Sequence, residues 1–294
     1  EHQNLWQVPI DFVSSPEDSN PKPFILKKEH HHVQLPKDQD LPIKLNKNGQ
    51  GFYVTSYSVE FLAGISKAIS NSKLESLEIL NLLCDFISLN RAGQFEPGAG
   101  AILDLISSSK ETVNSHLWGL TGSFLGYIHQ HLKQTDQEGL LADYICQLIT
   151  PAKLKFGLTP KDSESPNQTG ARFEILSLGA MSKDTEVHQH LLALYDANTA
   201  DLTNLHPEQR LLALYCVSRR GLAKDYKLLL DLYKASHEDV NLREDLAYAL
   251  TTFEGETYAK QNLAITQDPE LVRSQNILSW VSLTLTASSV SKKV

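Results

Sequence analysis

The hydrophobic period of this chain changes once, near Ser58, and that change sets what it can fold into. Before it, Pro9, Pro16, Pro21, Pro23, Pro36 and Pro42 punctuate the sequence. A proline lacks the amide hydrogen and clashes with the preceding turn, so helices there are disfavoured. Between the prolines lie short alternating runs: LWQVPIDFV (5–13), FILKK (24–28), HVQL (32–35), PIKLN (42–46) and GFYVTSY (51–57). Each is bounded by turn formers and reads as a strand. Asn48-Gly49 is a tight-turn signal. Residues 1–57 are therefore expected to form a small antiparallel β-sandwich.

From Ser58 onward the period is about 3.6 residues, the mark of amphipathic helices. Phe61, Leu62, Ile65 and Ile69 share one face, and Leu74, Leu77, Leu80, Cys84 and Ile87 the next. Ser72 and Glu75 have the spacing of a capping box before that second helix. Similar stripes run through Val113–Ile128, Leu141–Leu148 (which Pro151 is expected to stop), Phe173–Leu176, Val187–Leu194, Leu211–Tyr215, Tyr226–Tyr233 and Leu242–Leu250. Further helices are expected near 256–266 and 270–287. Pro207 suits a first helical turn and Gly221 a C-cap. GLTPKDSESPNQTG (157–170) reads as a long loop. About ten or more helices with short links predict a mainly α protein in which residues 58–294 form a HEAT-like superhelix.

Charge and composition exclude several classes. The net charge is −8, and no basic stripe of the kind that binds nucleic acid is present. No run of apolar residues is long enough to span a membrane. The three cysteines, Cys84, Cys146 and Cys216, form no CxxC pair. They read as free, mostly buried thiols of a reducing compartment such as the cytoplasm. The sequon Asn167-Gln168-Thr169 leaves a secretory route open.

A catalytic constellation is not found. There are eleven histidines, and EHHH (29–32) is the densest group. His30 and His32 would share a strand face, which is more often a polar edge than a metal site. His129/His131 and His188/His190 are two residues apart on expected helices and point to different faces. His237-Glu238-Asp239-Val240-Asn241 approaches the zinc motif His-Glu-x-x-His, but Asn241 stands where the second imidazole must be. Ser123, in GLTGSFLG, lies in an apolar helix, where the glycines suit close packing rather than a nucleophile. No P-loop or Gly-x-Ser-x-Gly occurs. No catalytic residue and no metal ligand is assigned to the chain.

Six segments, in order, resemble a known family. KLNKNGQGFYVTSY (44–57) is similar to the stretch that closes the β-sandwich in zinc aminopeptidases of the aminopeptidase N and puromycin-sensitive type. LWQVPI (5–10) resembles a strand before it. LCDFISLNRAGQF (83–95), GLTPKDSES (157–165), LLLDLYKASHEDVNLREDLAYAL (228–250) and VRSQNIL (272–278) resemble parts of the helical domain that follows. Val54 stands where the family has arginine, and Leu158-Thr159 where it has an aromatic. GAMSK (179–183) echoes the family's substrate motif but falls inside a helix of the wrong domain.

The resemblance implies the C-terminal, non-catalytic segment of an enzyme that removes N-terminal residues from peptides. Its zinc would belong to an upstream catalytic domain of the same chain, and no cofactor is expected in this segment. The helices would cap the active site and shape peptide access. Expected partners are peptides and that catalytic domain, with no nucleic acid and no membrane span. The chain looks cut at both ends, with SSVSKKV falling where the family continues. Arg273 and Gln275, at an expected helix start, are the candidate substrate-binding residues, through a peptide carboxylate. The alternative is a non-catalytic helical-repeat scaffold that binds protein partners.

Overall fold

The computed structural model describes residues 6–13, 24–32, 44–133, 135–161 and 163–287. Two short antiparallel ladders occupy the amino-terminal part. Strand β1 (Val8–Ile10) pairs with β3 (Phe24–Leu26), Val8 opposite Leu26, and β2 (Phe12–Val13) pairs with β4 (Lys44–Leu45), Phe12 opposite Leu45. The expected strand at HVQL falls mostly outside the described residues, as does the SSVSKKV end. GFYVTSY is not a strand. Backbone groups of Gly51, Tyr53 and Thr55 bond to the side chains of Asn46 and Asp85 instead of to a second strand.

The rest is helical: α1 (Val59–Ser70), α2 (Ser76–Arg91), α3 (Gly98–Ser108), α4 (Ser115–Leu132), α5 (Glu138–Phe156) and α6 (Pro166–Ser182) are followed by α7 (Thr185–Ala197), α8 (Pro207–Arg220), α9 (Ala223–Ala235), α10 (Val240–Thr252), α11 (Glu256–Ile265) and α12 (Ile277–Ala287). The chain divides into two compact units, Glu1–Ile128 with Lys161–Ala171, and His129–Pro160 with Arg172–Val294. In the first, α3 packs on α1 and α2. In the second, α10 is central and packs on α8, α9, α11 and α12. Leu191, Leu214, Val217, Leu229, Leu246 and Leu250 are fully buried there. Each such side chain stabilises the fold by about 1.5–3 kcal/mol relative to exposure.

Several local expectations hold. Pro207 opens α8, and Gly221 ends it in the left-handed conformation at φ 71°. The sequence reading did not single out Asp184 and Asp239, which cap α7 and α10, accepting from the N–H groups of Val187 and Leu242. Other expectations are overturned. Ser72 does not cap α2. It sits at φ 55°, donates its N–H to Ile69, and is followed by the Lys73 N–H to Ala68 bond that closes a Schellman motif on α1. Glu75, without a side-chain cap, precedes α2.

Pro151 does not stop α5, which runs on to Phe156. The lost amide bond is outweighed because Ala152 and Phe156 continue the buried face of Leu141, Ile145 and Leu148. The loop at 157–170 is shorter than expected. Pro166 starts α6, with its missing N–H at a position that needs none. Around Gly126 the expected close packing is absent, since nothing lies within 4 Å of where a Cβ would stand. The three cysteines are free, but only Cys216 is buried; Cys84 is exposed.

The segment between β4 and α1 is a polar joint. Asn46, left-handed at φ 58°, is buried. Its side chain accepts from the Gly51 N–H at 2.7 Å and donates to the carbonyls of Gly51 and Tyr53 at 3.0 and 3.2 Å. A Cβ on Gly51 would meet the Tyr53 ring at 2.1 Å, so a larger residue there would have to displace that ring. The Lys44 ammonium, 1% exposed, pairs with the Glu78 carboxylate of α2. It also donates to the Asn46 carbonyl at 2.7 Å, and Glu78 accepts from the Asn48 N–H at 2.8 Å.

Candidate functional site

The expected substrate-binding residues lie at a corner built by α9, α10 and α12. Arg243 of α10 holds it together. Its guanidinium lies 4.3 Å over the Tyr233 ring. It donates to the carbonyls of Tyr233 at 3.2 Å and Leu271 at 2.7 Å, and to His237 Nδ1 at 3.1 Å. The Tyr233 hydroxyl donates to the same Leu271 carbonyl at 2.6 Å. The planar, five-donor fork of arginine suits this multiple capture, where a lysine would not. The Leu271–Val272 stretch is thereby fixed, with Val272 buried and Trp280 of α12 packed 5.4 Å from Tyr233.

Arg273 follows directly. It is extended at φ −60°, ψ 145°, and precedes a single 3-10 turn, Ser274–Asn276, which runs into α12. The α-helix expected from 270 thus starts at Ile277, because the Asp268 carboxylate accepts from the Glu270 N–H and Asp268 C=O accepts from Leu271 and Val272, forming a turn. Arg273 and Gln275 are both exposed. Asp268 is engaged with backbone, and Arg273 makes no ion pair among the described residues. Burial raises the Tyr233 pKa, and the nearby charges of Arg243 and Arg273 oppose that rise.

A cleft of about 180 Å³ opens beside this corner. Glu244, Tyr248 and Thr251 of α10 face Asn276, Ser279 and Trp280 across it. Arg273 and Gln275 do not line it. Asn276, one residue on, does. The sequence shows Glu244 and Tyr248 as surface residues of an amphipathic helix, and only the packing of α12 on α10 makes them a wall. His237 lies in the link before α10, and its Nδ1 is occupied by Arg243.

Three further histidines make structural contacts. His31 stacks on Phe24 at 4.6 Å. His188 Nε2 donates to the Ala180 carbonyl at 2.8 Å, and His190 Nε2 lies 3.2 Å from the Gln209 amide. Among the described residues, no three His, Cys, Asp or Glu side chains are placed to hold a metal. No described helix is long and apolar enough to cross a membrane.

His129 ends in a cluster with Glu138, Lys133, Arg219 and Glu254. Its Nε2 is 3.6 Å from the Glu138 carboxylate, and Glu254 pairs with both Lys133 and Arg219. Burial lowers the His129 pKa from 6.5; Glu138 pulls it up, and Lys133 and Arg219 push it down. The folded protein therefore binds fewer protons here than the unfolded chain. Stability from this group is present above the unfolded value and is lost as pH falls through it. His129→Gln is expected to flatten the fall in stability between about pH 7 and 5. Urea unfolding of both proteins across that range checks it, and identical slopes would remove His129 as a contributor.

Comparison with known proteins gives the family. Residues 42–293 match the family described as ERAP1-like C-terminal domain. The chain is also similar to "Aminopeptidase M1-B" of Oryza sativa subsp. japonica, 26% identical over 254 residues, which is 80% of this chain and 28% of that relative. It therefore spans less than a third of the length of the curated relative it matches. With the match running through both compact units and ending beyond α12, the chain belongs to the ERAP1-like C-terminal domain family, as a C-terminal segment of the M1 aminopeptidase type.

Proposed function

We propose that this chain is the non-catalytic C-terminal segment of a zinc aminopeptidase, capping the active site and governing which peptides enter. What supports it most is the family match over residues 42–293. In this proposal residues 1–57 are part of a β-sandwich and residues 58–294 a HEAT-like superhelix. The zinc belongs to the preceding catalytic part, where it would activate a water for attack on the scissile carbonyl. The described donors do not fit a metal, so no step here passes through one. This segment supplies shape and charge.

Arg273 and Gln275 are proposed to receive the C-terminal carboxylate of a peptide. Arg273 is exposed, and without an ion pair among the described residues its fork is open to a carboxylate. Solvent exposure limits such a pair to about 1 kcal/mol. In the full-length enzyme, Arg273→Ala should raise KM about five-fold for peptides with a free C-terminus. It should leave C-terminally amidated peptides and single-residue chromogenic amides unchanged. An equal loss on all three substrates would point to folding, and no loss on any would remove Arg273 from the site. A parent protein that binds other proteins and cleaves no peptide would favour the scaffold alternative.

A further inference from the structure

The cleft between α10 and α12 is walled by two helical stripes. Glu244, Tyr248 and Thr251 stand one above another at i, i+4 and i+7 on α10. Asn276, Ser279 and Trp280 face them from the turn before α12 and its first residues. At about 180 Å³ the cleft is smaller than the roughly 300–1,000 Å³ typical of pockets for drug-sized ligands. It has room for one amino-acid side chain.

An account of its polar groups shows what kind. The Thr251 hydroxyl is shared between the carbonyls of Ala247 and Tyr248, at 2.9 Å each, and the Ser279 hydroxyl donates to the Asn276 carbonyl at 2.9 Å. Both hydroxyls are therefore spent on backbone. The Glu244 carboxylate is exposed and has no ion pair or hydrogen bond among the described residues. The basic side chains of the same helix and its neighbour are committed elsewhere, Arg243 to the Tyr233 and Leu271 carbonyls and Arg210 to Asp245. The rings are held in place from behind, Trp280 by Tyr233 at 5.4 Å and Tyr248 by Tyr215 at 6.3 Å. A free carboxylate beside ordered aromatic rings suits a cation carried on an apolar stem. An acidic side chain would be repelled there, and an apolar one would gain nothing from Glu244.

Arg273 stands one turn from this cleft. The Asn276 N–H donates to the Arg273 carbonyl at 2.8 Å, which joins the open guanidinium to the cleft wall through a single 3-10 turn. A positive group and a negative one are thus offered side by side. We propose that the cleft takes the side chain of a peptide's C-terminal lysine or arginine, with Glu244 pairing its cation while Arg273 holds the α-carboxylate. This rests on the reading of Arg273 as the carboxylate site. Both contacts face solvent, which limits the preference for a basic end to about five- to ten-fold.

The test is KM in the full-length enzyme for peptides alike except at the C-terminal residue, which is lysine, norleucine or glutamate. Each is made with a free and an amidated end, over a series of lengths. The free lysine peptide should show a KM about five- to ten-fold below that of norleucine, with glutamate highest. Glu244→Gln should bring lysine to the norleucine value, and Glu244→Lys should turn the preference toward glutamate. Equal KM for lysine and norleucine at every length would overturn the proposal. So would a Glu244→Gln change of the same size on all three peptides, which would make Glu244 only a neighbour that tunes Arg273. Equal KM for free and amidated ends would sink the Arg273 reading instead, and the Glu244 variants would still decide whether the cleft takes a cation. Calorimetric binding of the same peptides gives Kd where nothing is cleaved, so absence of peptidase activity would remove the function proposed above and leave this test in place.

Discussion

Glu78→Ala should destabilise the first compact unit by about 3–5 kcal/mol, the cost of stranding a buried charge. The stranded charge is the Lys44 ammonium, 1% exposed, whose remaining partner would be the Asn46 carbonyl. The substitution also leaves the Asn48 N–H without its acceptor, an added cost of about 1–3 kcal/mol if water cannot reach it. Glu78→Gln keeps that acceptor and should lose less. The double variant Lys44→Met with Glu78→Leu removes both charges and should recover much of the loss, since a buried ion pair is often no better than its apolar replacement. Recovery should be incomplete, because Asn46 and Asn48 lose their side-chain partners. Urea unfolding of the three variants measures this. A loss under about 1 kcal/mol for Glu78→Ala would mean that Lys44 escapes to solvent and the joint is not a closed one.

The second large effect is expected at Arg243. Arg243→Ala removes hydrogen bonds to the carbonyls of Tyr233 and Leu271 and the contact over the Tyr233 ring. Charge-assisted bonds contribute about 1.5–3 kcal/mol each when well buried, and a cation over an aromatic face about 0.5–2 kcal/mol. Arg243 is half-buried, so the total should be nearer 2–3 kcal/mol, lowering Tm by about 4–12 °C. Arg243→Lys should lose most of the same stability, because one ammonium cannot reach carbonyls on both α9 and the 268–273 turn. Hydrogen exchange should rise at Leu271 and Val272 in both variants. Full retention of stability in the lysine variant would show that charge alone, not the fork, holds the corner. Because Arg273 follows this turn, loosening it should also weaken any carboxylate contact that Arg273 makes.

The two effects arise in different units and from the same device. In each, a long cationic side chain donates to a backbone carbonyl of a segment with no regular partner of its own. Lys44 does so for the 46–51 turn and Arg243 for the 268–273 turn. Backbone polar groups outside helices and ladders need such partners when they are buried.

Much of this was written locally. Periodicity placed the stripes of α1, α8, α9 and α10, because a buried helical face repeats every three to four residues whatever lies opposite. Pro207, Gly221 and the tight turn at Asn48-Gly49 were legible because φ preferences are properties of single residues. Local signals failed where a distant contact outweighed them. Pro151 signalled a stop, yet burial of Ala152 and Phe156 carried α5 past it. Ser72 and Glu75 had the spacing of a capping box, but Ser72 closes α1 instead. GFYVTSY alternates like a strand, and its inward row bonds to Asp11 and Asp85, 42 and 30 residues away.

The candidate site divides the same way. Arg273 and Gln275 stood out as polar residues after a break in the pattern. The Glu244–Asn276 cleft did not, because its walls come from α10 and α12 and meet only on folding. Sequence alone determined the mainly helical character, the change of period near Ser58 and the family to which the segments belong, since all three are carried by neighbours along the chain. Tertiary structure alone decided which buried cations hold the turns, which helices continue past their stop signals, and that Phe52 faces water, since each depends on groups brought together from far apart in sequence.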